Sequence, residues 1–113
     1  MTVSTLDQFA ANDGFTIRAL LLAAAGTATE EDDPADRAAA HAMLARFQGT
    51  GTPRLTADER TAFGRVVDLA ADYERGNLEA ADLPDEPTDD ERLAAAVAHH
   101  PEAMHDALAY LTA

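Results

Sequence analysis

The chain has 113 residues, with 21 acids, eight arginines and neither lysine nor cysteine, for a formal charge of −13. That length fits one domain with a modest core. The missing cysteine excludes disulfides and thiolate metal sites, and the acid excess disfavours direct binding to nucleic acid or an anionic membrane, both of which need a positive patch.

Arginine without lysine, together with 27 alanines, matches the coding bias of a GC-rich genome and carries no functional weight. A carboxylate-rich surface also suits a very salty cytoplasm. The longest apolar run, residues 19–25, falls far short of the roughly 20 residues that cross a bilayer. A cytoplasmic protein is expected. Large aliphatic residues and Phe are few for this net charge, a composition that borders on disorder. Their helical spacing, and the helix propensity of alanine, argue for a folded chain.

In chain order, Ser4 and Asp7 open a first short helix, with Leu6, Phe9 and Ala10 on its apolar face. Asn12-Asp13-Gly14 is a turn signal. Ile17, Leu20, Leu21 and Ala24 then recur at i, i+3, i+4 and i+7, and Leu22 widens that face, so this helix should be central. Gly26 is expected to end it. After an acidic connection, Asp33-Pro34 reads as an N-cap followed by a first-turn proline, and Asp36 complements the helix dipole. Ala40, Met43, Leu44 and Phe47 form the next stripe, closed by Gly49, and His41 is expected to be a partly buried structural histidine. Residues 49–53 form a loop.

Thr56 and Glu59 make a capping box. Behind it, Phe63, Val66, Val67, Ala70 and Tyr73 form one stripe, and Gly76 should stop the helix. Arg60, Arg65, Asp68, Asp72 and Arg75 read as an ordinary solvated face. Residues 77–88 look like an acidic, proline-containing connection. Thr88 and Glu91 form another capping box, opening a helix with Leu93, Ala96 and Val97 inward. Pro101 marks a break after His100, because the residue before proline avoids the α region. Met104, Ala107, Leu108 and Leu111 form the last stripe. The expected fold is all-α: residues 1–113 as a single domain, a compact bundle of five or six short to medium helices.

Chemistry is harder to find. His99, His100 and His105 cluster near Glu102 and Asp106, but His100 and His105 are five apart across a proline break, not at the i, i+4 spacing of a helical ligand pair. They read as surface or helix-end histidines; a metal-dependent helical enzyme is the competing reading of this cluster. The carboxylate runs lack the alternating ligands and glycine turn of a calcium loop, and acid/base work needs one carboxyl desolvated. Ser4, the only serine, is placed as a cap, and no phosphate-binding glycine loop is present. No enzyme, metal or cofactor is expected.

The acidic surface is the remaining feature. The leading expectation is a non-catalytic interaction protein that binds another protein with a basic surface. Its sharpest form is a phage- or plasmid-type inhibitor that imitates nucleic acid. The candidate partner-binding residues are Asp82, Asp85, Glu86, Asp89, Asp90 and Glu91, with Glu30, Glu31, Asp32 and Asp33 as a second patch. The alternative is a homo-oligomeric assembly or adaptor protein, a homodimer at its simplest, whose acidity reflects solubility or salt adaptation.

Overall fold

Four of the five α-helices begin where a side chain satisfies an orphan N–H group of the first turn. In the computed structural model, which describes residues 5–10, 14–49, 51–80 and 85–112, the elements are a 3-10 turn at Thr5–Gln8 and five α-helices. α1 spans Ile17–Ala28, α2 Pro34–Phe47, α3 Ala57–Ala80, α4 Asp89–His99 and α5 Pro101–Thr112. The described residues contain no strand.

Thr16 caps α1, its Oγ1 accepting from Ala19 N at 3.2 Å. Asp33 caps α2, accepting from Ala35 N at 2.9 Å, with Pro34 in the first turn. Thr56 and Glu59 form the expected reciprocal box on α3, with bonds of 3.1 and 2.9 Å. Thr88 and Glu91 repeat it on α4 at 3.2 and 3.0 Å. Gly14 sits at φ 88°, a left-handed turn that glycine adopts without Cβ strain.

α1 is the central element and touches each of the other four helices. It buries Ile17, Leu20, Leu21, Ala24, Ala25 and Ala28 completely. Leu6 from the 3-10 turn, Met43 and Phe47 from α2, the valine pair of α3, Val97 from α4 and Met104 from α5 join these residues in one hydrophobic core. Phe47 and Phe63 meet with ring centroids 6.1 Å apart, tilted by 60°.

Bonds between segments distant in sequence show the relative helix directions. Arg18 at the start of α1 donates to the carbonyls of Gly49 and Gly51 beyond the end of α2, so α1 and α2 are antiparallel. Arg46 reaches Glu59 at 2.8 Å and Arg65 reaches Asp36, which runs α2 against α3. Leu55 N donates to Leu111 O at 3.0 Å, and His105 meets Asp68, so α5 also opposes α3. The described body measures 39 × 39 × 20 Å, about two helix diameters thick.

Several expectations change. The Ser4 cap and the Asn12-Asp13 turn are not among these, since they lie outside the described residues. The first element is a single 3-10 turn, and Ala10 is exposed. α1 runs past Gly26 to Ala28, and α3 runs past Gly76 to Ala80, so residues 77–80 are helix and not connection. Tyr73 keeps the apolar period but is 57% exposed. α3 is about 36 Å long, and the core it serves ends near Ala71. His41 is exposed, because the buried stripe of α2 runs through Asp36, Ala40, Met43 and Phe47. Leu22 is half-buried. No helix among the described residues is long and apolar enough to cross a membrane.

Candidate functional site

The acidic residues singled out by sequence fall into two sets. Asp85, Glu86, Asp89 and Asp90 are exposed, and Glu91 is half-buried because its carboxylate closes the capping box. Asp89 faces Arg92 at 3.6 Å. Asp85, Glu86 and Asp90 make no ion pair or side-chain hydrogen bond among the described residues. Asp82 lies outside the described residues. In the second set Glu30, Asp32 and Asp33 are exposed and Glu31 is half-buried. Asp33 is occupied as the α2 cap, while Arg37 pins this loop through the carbonyls of Glu31 and Asp32 at 2.9 and 2.8 Å.

The two sets do not merge. Arg92 lies over the ring of Phe15, 5.5 Å from its centroid, which puts the start of α4 beside the start of α1. Glu30 to Asp33 follow the other end of α1. The sets are therefore separated by roughly the length of α1, about 18 Å.

A groove that sequence reading passed over runs along α3. Its floor is the strip that carries Arg60, Gly64, Arg65, Asp68 and Asp72, with Leu69 among them, and α5 contributes His105 and Leu108. The groove is open and encloses about 550 Å³. His105 Nε2 lies 2.7 Å from Asp68 Oδ1. The imidazole rests where Gly64 has no side chain: a Cβ there would stand 3.3 Å from His105 Cε1.

Arg65 is also the key to the groove's electrostatics. Its Nε and Nη2 donate to Asp36 at 2.7 and 3.2 Å. The hydrogen bond from Arg65 lowers the Asp36 pKa below the usual carboxylate range, outweighing desolvation, which raises it, and the guanidinium charge adds to the lowering. The same bond raises the Arg65 pKa, and Asp33 and Glu31 add weaker attraction. Among the described residues Asp36 is the buried acid, 7% exposed, although its sequence position suggested only a dipole partner. Arg65 and Asp68, expected on an ordinary solvated face, are both committed to neighbouring helices. Residues 36 and 65 are 29 apart, and no local pattern links them.

The histidines separate. His105 belongs to the α3 groove, whereas His99 and His100 line a second recess with Arg75, Glu102 and Asp106 at the α4–α5 corner. No group of three or more His, Asp or Glu side chains is placed to hold a metal among the described residues.

Comparison of the chain with protein-family models, curated proteins and solved structures finds no match in any of the three.

Proposed function

We propose that this is an interaction protein that presents carboxylates to the basic surface of another protein, in its sharpest form a protein whose cationic groove binds nucleic acid. The observation that supports the reading is the standing of Asp85, Glu86 and Asp90 at one end of α1 and Glu30 and Asp32 at the other. All five are exposed and without an ion pair among the described residues. Meanwhile much of the cationic side-chain capacity is spent internally. Arg18 and Arg37 bind backbone carbonyls, Arg46 binds Glu59, and Arg65 binds Asp36. The surplus charge is thus left for a counterpart. Asp90 in the first turn of a capped helix and Asp32 in a loop pinned by Arg37 have their backbones held in place before binding, which limits the ordering cost of association.

The test is displacement. Proteins retained on a DNA column serve as probes, and the chain competes with a labelled duplex for them. Displacement should weaken steeply as salt rises from about 50 to about 500 mM. The variant D85N/E86Q/D89N/D90N should displace at least about tenfold less well. Failure to displace, indifference to salt, or full strength in the variant overturns the reading and leaves the acidity to solubility or salt adaptation.

A further inference from the structure

The α3 groove carries its charges in a definite order. Arg60 and Arg65 lie toward the N-terminal half of the strip, and Asp68 and Asp72 toward the C-terminal half. From 60 to 72 the strip is about 18 Å long. Leu69, half-buried, supplies an apolar centre. A strip that is positive at one end and negative at the other is complementary to itself after a half-turn. In a twofold pairing, residue i meets residue j and j meets i.

We propose that the α3 groove is a docking surface for a second copy of this chain, paired antiparallel about a twofold axis near the level of Val66. Arg60 of one copy then faces Asp72 of the other, and Arg65 faces Asp68, each contact occurring twice. The antiparallel arrangement also opposes the two α3 macrodipoles favourably. Charge order selects this occupant. A uniformly basic partner would meet Arg60 and Arg65, and a uniformly acidic one would meet Asp68 and Asp72. The chain itself presents the inverse order at the same spacing. The Arg60 side chain makes no ion pair or hydrogen bond among the described residues, so its guanidinium is available. Arg65 uses Nε and Nη2 for Asp36 and keeps Nη1 for a further acceptor. Asp68 uses Oδ1 for His105, Asp72 uses Oδ1 for Arg75 at 3.0 Å, and each keeps Oδ2 for a further donor. The −13 charge of each copy opposes association, but at about 0.15 M salt the screening length is about 8 Å, so contacts within the strip outweigh distant repulsion. One helix strip is a small interface, and dissociation in the micromolar range or weaker is expected.

The proposal stands apart from the partner-binding reading, since the strip shares no residue with the acidic sets. It is tested by sedimentation velocity at about 0.15 M salt, from about 10 μM to about 1 mM. The wild-type mass should climb from 12.0 kDa toward that of a dimer. R60E sets a carboxylate against Asp72 of the other copy, and D72R sets a second guanidinium against Arg60, so each variant alone should associate at least about tenfold more weakly. Mixed in equal amounts, the two should pair with each other, because every contact is then between opposite charges. The double variant R60E/D72R should self-associate like the wild type and fail to pair with it. Circular dichroism confirms folding, and R60Q and D72N serve as the gentler pair should a reversal unfold. A wild type that stays monomeric throughout, single variants that associate normally, or a mixture that remains monomeric overturns the proposal.

Discussion

Asp36, in the first turn of α2, is gripped at both oxygens by Arg65 in the middle of α3, with donor distances of 2.7 and 3.2 Å. The carboxylate is buried and the guanidinium exposed, so the pair closes the α2–α3 seam from the solvent side. Removing one partner of such a pair costs more than the pair contributes, because the other is left unmatched. Asp36→Asn should lower the melting temperature at pH 7, and Arg65→Met should lower it further by leaving the buried carboxylate alone.

The same pair sets a pH signature. The folded pKa of Asp36 is depressed below its ordinary value of 3.8. Its stabilisation is therefore complete above the unfolded value and is lost as pH falls through the lower folded value. The gap in melting temperature between wild type and Asp36→Asn should be constant from pH 7 to about 5 and shrink below about 4. A gap that widens on acidification would contradict the assigned direction.

Gly76 offers a sharper discrimination. It is exposed, it lies inside α3, and a Cβ there meets nothing within 4 Å. Gly76→Ala should stabilise the protein by about 0.5–1 kcal/mol through helix propensity. Were Gly76 a left-handed helix stop, alanine would destabilise by about 1 kcal/mol. Chemical denaturation of the two proteins decides between them.

That glycine shows where sequence reading reached its limit. Capping boxes at Thr56 and Thr88, the Asp33-Pro34 start and the stripes through Ile17, Met43, Val66 and Leu108 were legible because they are local and periodic. Helix ends were less so. Gly26 and Gly76 carry a stop signal, but a helix can run through glycine at modest cost where neighbouring packing or capping favours it. The acidic residues were legible as surface, since solvation needs no partner. The groove was not, because Asp36 with Arg65 and Asp68 with His105 are pairings across helices that no spacing encodes. Tyr73 misled in the opposite sense: its period is right, but the core ends before it.

Phe63 lies 1% exposed against Phe47, at the junction of α2 and α3. Phe63→Ala should cost about 3–5 kcal/mol, from lost transfer energy and the cavity left behind. A double-mutant cycle with Phe47→Ala should return a coupling of about 0.5–1.5 kcal/mol for the tilted rings. Additive effects would place the two rings out of contact.

Thr88→Ala removes the hydroxyl that accepts from Glu91 N and leaves the Glu91 carboxylate bonded only to the backbone N–H at position 88. The cost should be about 1 kcal/mol, concentrated in the first turn of α4. Hydrogen exchange should accelerate at residues 89–92 and stay unchanged in α2. Because that turn carries Asp89 and Asp90, the substitution should also weaken displacement of duplex from a basic partner, with the net charge untouched. Loss of stability with undiminished displacement would separate the fixed geometry of these carboxylates from their charge, and would show that charge alone carries the binding.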